Sequence, residues 1–123
     1  MTLKFLRSAL VIVPLLVPLS VGAQQASGFL SVIEDLPLMN TLIETGDGVQ
    51  FTTSQGRIAE ATATGMTSRS EVLAFYEKTL PQLGWTPIGP GRFVREGETL
   101  ELGFEAKGEH LKVRFAIAPK NKP

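Results

Sequence analysis

The stretch TLELGFEAKGEHLKVRFAIA, residues 99–118, decides the fold of this chain. Apolar and polar residues alternate on both sides of Lys107-Gly108, which is the pattern of two antiparallel strands joined by a tight turn. The predicted inner face comprises Leu100, Leu102, Phe104, Ala106, Leu111, Val113, Phe115 and Ile117. Because that face is apolar, we expect a second layer to cover it.

A two-residue turn at Lys107-Gly108 would fix the pairing of the two strands. The predicted inner pairs are Leu111 with Phe104, Val113 with Leu102, and Phe115 with Leu100. The predicted outer pairs are His110 with Glu105, and Arg114 with Glu101. Each pair contributes only about 0.2–1 kcal/mol, so we expect burial of the inner face to dominate stability.

The segment 68–83 predicts the main helix, which is the natural cover for this face. Ser68 and Glu71 have the spacing of a capping box, and Pro81 and Gly84 favour an end near residue 83. Trp85 follows directly and is expected to fold back against the helix. The apolar stripe consists of Val72, Phe75, Tyr76, Thr79, Leu80 and Leu83. The spacing therefore predicts a helix packed on a sheet.

Further strands are predicted at residues 49–53, 57–64 and 92–95, each bounded by turn residues. A short helix is predicted at residues 36–44, with Asp35 as its cap and a proline in its first turn. The fold class is α+β, with one main helix on an antiparallel sheet of four to six strands plus this short N-terminal helix. We expect an apolar leader segment over residues 24–48 and a single domain over 49–123.

The leader segment is richer in large apolar side chains than one more element requires. Burying each is worth about 1.5–3 kcal/mol, so the segment should not remain in water. It either covers the second face of the sheet or an open edge, or contacts a partner, namely an envelope protein or a second copy. The candidate partner-contact residues are Phe29, Leu30, Leu36, Leu38, Met39, Leu42 and Ile43.

Residues 1–23 have the features of a secretory signal peptide: a positive start, an apolar run and small residues before Ala23. A membrane-spanning helix needs about 20 apolar residues, and Pro14 and Pro18 interrupt this shorter run. We therefore expect cleavage near Ala23 and a soluble, periplasmic protein without a stable membrane anchor. An uncleaved anchor is the alternative.

Composition limits the classes of function. The chain has 12 basic and 12 acidic residues, and removal of Lys4 and Arg7 with the signal leaves a net charge of −2. No concentrated basic stretch exists for nucleic acid or anionic lipid, so neither is an expected partner. The chain has no cysteine, which excludes disulfides and a lipid-modified N-terminal cysteine.

Catalytic motifs are weak. His110 is the single histidine, and we expect it at an exposed hairpin position without the partners that nucleophilic catalysis needs. Glu101 and Glu105 would lie about 13 Å apart on one strand, which is beyond the separation of a glycosidase pair, about 6.5–9.5 Å at most. We expect no metal, no cofactor and no enzymatic activity.

The segments EVLAFYEKTLPQLGW, residues 71–85, and FVREG, residues 93–97, resemble small exported proteins of Gram-negative bacteria, especially alphaproteobacteria. The motifs DLPLM, residues 35–39, and GRI, residues 56–58, are also similar to that group. The resemblance implies export but no catalytic residue. The first functional hypothesis is a non-enzymatic periplasmic protein that acts by protein contact. The alternative is a small-ligand or lipid-binding module with a pocket between helix and sheet.

Overall fold

The computed structural model describes residues 12–14 and 26–120. The predicted signal peptide lies outside the described residues, apart from residues 12–14. The elements are β1 (Ala26–Phe29), β2 (Pro37–Met39), β3 (Ile43–Thr53), β4 (Gly56–Gly65), α1 (Arg69–Thr79), a 3-10 helix (Leu80–Leu83), β5 (Thr86–Gly89), β6 (Arg92–Arg95), β7 (Glu98–Lys107) and β8 (His110–Pro119).

The main sheet has six antiparallel strands in the order β3-β4-β8-β7-β6-β5, and β1 pairs with β2 in a separate small sheet. The helix α1 connects β4 to β5 and buries Val72, Phe75 and Tyr76 in the core. The prediction of one main helix on an antiparallel sheet is therefore confirmed.

The central hairpin forms as predicted, but its register is shifted by two residues. The turn is Gly108-Glu109 rather than Lys107-Gly108, so Lys107 pairs with His110 and Phe104 pairs with Val113. Gly108 has a φ of 62°, and a positive φ at the first loop position is the pattern of a type II′ turn. A shift of two leaves every side chain on its predicted face.

The start of α1 is also as predicted. The Ser68 side chain accepts a hydrogen bond from the backbone N–H of Glu71, and the Glu71 carboxylate accepts one from the backbone N–H of Ser68. The regular helix ends at Thr79 and continues as the 3-10 turn, because Pro81 has no N–H to donate. Gly84 then adopts the left-handed conformation at a φ of 94° and returns the buried Trp85 to the core.

The predicted N-terminal helix at residues 36–44 is wrong. These residues form β2, a turn and the beginning of β3. The cause is a distant side chain: the Tyr76 hydroxyl donates to the carbonyl of Pro37 at 2.7 Å and accepts from the N–H of Met39 at 3.2 Å. The hydrogen bonds from Tyr76 on the main helix thus outweigh the helix-favouring positions of Asp35 and Pro37.

The leader lies on the same side of the sheet as α1 and not on the second face. An added Cβ on Gly65 in β4 would overlap the carbonyl oxygen of Thr41, and one on Gly48 in β3 would approach Val32 Cγ2 to 2.8 Å. The inward side chains of β4 are Ala59, Ala61 and Ala63. These small side chains leave room for the leader, which shares one core with α1 and the sheet.

The segment Gly46-Asp47-Gly48, at the end of the predicted leader segment, lies inside β3. It is the site of a register shift between β3 and β4, and both glycines have a φ of 72°. The segment is therefore a bulge within a continuous strand.

Candidate contact surface

The seven candidate contact residues of the leader divide by exposure. Their side chains are buried at Leu30, Leu36, Met39 and Leu42, half-buried at Leu38, and exposed at Phe29 and Ile43. A buried side chain cannot reach a partner without partial unfolding. In this fold the leader is mainly a core element, and Phe29 and Ile43 are its two accessible large apolar side chains.

An ion-pair cluster fixes the leader over one end of the inner face. Asp35 pairs with Arg95, and also with Arg57 at 3.5 Å. Arg57 in turn contacts the Glu98 carboxylate at 2.7 Å. Partial burial disfavours ionisation of Asp35, but the hydrogen bond from Arg95 and both nearby cations hold its pKa below the usual value. The hydrogen bond to Glu98 raises the pKa of Arg57.

Trp85 joins this cluster to the core. The Arg95 guanidinium carbon lies 4.3 Å from the centre of the indole ring, and Arg95 also donates to the carbonyl of Leu83 at 3.1 Å. A cation above an aromatic face is stabilising. Asp35, Arg95 and Trp85 therefore connect the leader, β6 and the segment that follows the 3-10 helix.

The outer face of the main sheet has no covering layer within residues 26–120. Charged side chains cross its middle in ion pairs between adjacent strands: Arg114 with Glu60 at 2.8 Å, Arg92 with Glu101 at 3.1 Å, and Lys112 with Glu105 at 4.0 Å. Exposed pairs of this kind contribute about 0–1 kcal/mol each. They match the surface of an antiparallel sheet that faces water.

The exception is an apolar margin at the β3 edge. Phe51 and Val49 are 51% and 53% exposed, and they point to the same face as Ile58 and Glu60, their neighbours on β4. We call Val49, Phe51 and Ile58 the β3 patch. The patch lies next to backbone N–H and C=O groups that pair with no other strand of the main sheet, because β3 is an edge strand.

The bulge at residues 46–48 and the acidic Glu44 and Asp47 protect the first half of this edge, but the second half lacks the usual protection against pairing. Edge strands commonly carry lysine, inward-pointing charge or proline to prevent association with another strand. Residues 48–56 contain no charged residue and no proline. The opposite edge, β5, is only four residues long and includes Pro87. The two edges of the sheet therefore differ, and β3 is the one suited to adding a strand.

The sequence singled out one histidine and the acidic residues as candidates for chemistry. His110 is exposed and pairs with Lys107, and residues 12–14 and 26–120 contain no group of three or more His, Asp or Glu that could hold a metal ion. Side chains fill the space between α1 and the sheet, where Tyr76, Trp85, Phe93 and Phe115 are all at most 2% exposed. A depression of about 380 Å³ lies instead on the outer face and includes Ile88, Arg92 and Thr99.

Among the residues that the structure describes, no helix is both long and apolar enough to cross a membrane. No family model, curated protein or solved structure matches the chain.

The apolar surplus of the leader is visible in the sequence, whereas the β3 patch is not evident from alternation alone. Alternation identifies the two faces of a strand, yet it does not reveal which strand forms the edge of a sheet. A signal was present nonetheless: the run from 48 to 56 combines β-branched and aromatic residues with a complete lack of charge. Such a run is a candidate for intermolecular pairing.

Proposed function

We propose that this chain is an exported, non-enzymatic protein that works by protein contact, through the β3 edge and the β3 patch. The observation that supports this proposal is the combination of an open strand edge, an exposed Phe51 and an uncharged run over residues 48–56. Strand addition at such an edge provides main-chain hydrogen bonds, and the patch provides apolar contact.

Export is part of the same proposal. The features of residues 1–23 favour a cleaved signal, and every described strand and helix begins at or after Ala26. Cleavage near Ala23 would therefore leave the described fold complete. Mass spectrometry of the protein from the periplasmic fraction is expected to give a chain that starts at Gln24. A full-length chain in the membrane fraction would contradict export by cleavage.

The ligand-binding alternative has weaker support. A pocket between helix and sheet would need space, but large buried side chains occupy that interface. The depression on the outer face is partly open to solvent and its lining includes the charged residues Arg92 and Glu101, unlike the enclosed apolar pockets typical of lipid carriers.

The test of the contact function is cross-linking in intact cells. A photoreactive amino acid at position 51 is expected to capture a protein, whereas the same group at position 88 is the matched control. Ile88 is 48% exposed, close to the 51% of Phe51, but lies on β5 at the opposite edge. Equal yields of the same products from both positions would contradict a contact site at β3.

A further inference from the structure

We infer that the partner of the β3 edge is a second copy of this chain, paired antiparallel about a twofold axis at Phe51. This inference rests on the proposed contact function of the β3 edge. It assigns to that site a homodimer in which two six-stranded sheets join into one continuous sheet of twelve strands.

The backbone groups of β3 point alternately toward β4 and away from the sheet. Thr53 pairs with Gly56 across the two-residue loop Ser54-Gln55, and the pair that closes such a loop is hydrogen-bonded. Hydrogen-bonded and non-hydrogen-bonded pairs alternate along an antiparallel ladder. The backbone N–H and C=O groups of Phe51 and Val49 therefore bond to β4, whereas those of Gln50 and Thr52 point away from the sheet.

The outward backbone groups determine the register in which β3 can pair with β3 of a second copy. The regular part of β3 after the bulge is Val49–Thr53, and Phe51 is its midpoint. Full overlap of this stretch with its own copy places Gln50 opposite Thr52 of the second copy, twice by symmetry. Those are the residues with outward backbone groups, so the register forms two hydrogen-bonded pairs. Phe51 then faces Phe51 of the second copy in a non-hydrogen-bonded pair, with Cα atoms about 4.5 Å apart.

The side chains that this register places opposite each other are compatible in charge and polarity. On the outer face, a continuous apolar row runs from Ile58 through Phe51 to the same residues of the second copy. Val49 lies opposite Thr53, and the paired stretch Val49–Thr53 contains no charged residue. No like charges meet. An isologous interface requires this self-complementarity, whereas a foreign strand would need only one matching side.

The size of the contact sets the expected affinity. One short strand pair buries less than a standard interface of about 1,600 Å², so we expect a dissociation constant on the order of 100 µM. Sedimentation equilibrium of the protein as purified from cells should show mostly monomer at about 10 µM and mostly dimer at about 1 mM. Phe51→Lys places two cations opposite each other and is expected to raise the dissociation constant roughly tenfold or more. The buried Trp85 reports by fluorescence that the variant stays folded.

Cysteine cross-linking tests the register, because the chain has no cysteine of its own. In Phe51→Cys the two sulfurs lie across the twofold axis, at a Cα separation within the range of a disulfide, about 4.4–6.8 Å. Diamide should therefore convert this variant into a covalent dimer at a concentration where Ile88→Cys remains monomeric. Val49→Cys should also lag behind, since Val49 faces Thr53 of the second copy.

The outcomes separate this inference from the contact function on which it depends. Wild-type protein that stays monomeric at about 1 mM, with equal cross-linking of Phe51→Cys and Ile88→Cys, would overturn the second copy as partner. Faster cross-linking of Val49→Cys than of Phe51→Cys would overturn the register. If a group at position 51 in cells then captures a different protein, the contact function stands and only the homodimer is refuted. If it captures nothing, both fail.

Discussion

Replacing Tyr76 by phenylalanine should loosen the leader without disturbing the aromatic packing. The hydroxyl bridges the carbonyl of Pro37 and the N–H of Met39, and burial raises the pKa of this tyrosine despite the opposing effect of the Met39 hydrogen bond. The ring keeps its edge contacts with Phe75 and Phe115, at 4.7 Å and 5.4 Å between ring centres. Loss of two hydrogen bonds at about 1 kcal/mol each lowers the free energy of unfolding by about 2 kcal/mol.

Urea unfolding followed by Trp85 fluorescence measures this change. With an m-value of about 1 kcal/mol/M, the unfolding midpoint should fall by about 2 M, and hydrogen exchange at the Met39 amide should accelerate. Thr45→Val is the matched control, because it removes a hydroxyl whose partner, Thr62, is on exposed strand surface; its effect should stay within about 0.5 kcal/mol. A Tyr76→Phe variant as stable as this control, with unchanged Met39 protection, would refute the role of the hydroxyl.

Three further predictions concern the leader and α1. Gly65→Ala should destabilise the protein by about 1–3 kcal/mol or more, because the added Cβ meets the backbone of Thr41. Gly103→Ala is the control: its added Cβ has its nearest neighbour at 3.8 Å. It should lower the free energy of unfolding by less than about 1 kcal/mol in the same denaturation assay. Ser68→Ala should cost about 1 kcal/mol through loss of the helix cap, and Ser68→Asp should restore most of it; equal stability of both variants would contradict the cap. Asp35→Asn should be less stable than the wild type at pH 7 in thermal melts. Since the folded pKa of Asp35 is lowered, its contribution is present above the unfolded pKa and is lost as the pH falls through the folded one. The difference between the two proteins should therefore begin to shrink as the pH falls below about 4 and continue to shrink through the lower folded pKa; a difference that stays constant over this range would contradict an ionic role.

The parts of the fold predicted well are those with local signals. The capping box of Ser68 and Glu71 and the alternation over residues 99–118 act within a few residues of themselves. The observed hairpin register differs from the predicted one by two residues, because loops at Lys107-Gly108 and at Gly108-Glu109 are equally consistent with the alternation. Only the backbone angle that Gly108 adopts selects between them.

The parts that failed depend on distant contacts. Helix signals near Asp35 and Pro37 were outweighed by Tyr76, 39 residues after Pro37. The placement of the leader depends on the alanines of β4, whose small side chains do not by themselves indicate which segment packs over them. The β3 patch depends on strand order, which no single segment encodes.

The alanine side chains of β4 also impose an order on folding. The leader is synthesised first, but its binding site consists of Ala59, Ala61 and Ala63 on β4 together with the Tyr76 hydroxyl on α1. Until residue 76 has left the ribosome, Leu30, Ile33, Leu36, Met39 and Leu42 have no core to enter. The N-terminal apolar segment therefore lacks its native cover while the rest of the chain emerges, and apolar surface exposed in this way is prone to aggregate. The same side chains that complete the native core thus expose an apolar segment during synthesis, and the step that ends this exposure is the closing of the leader over α1 and β4.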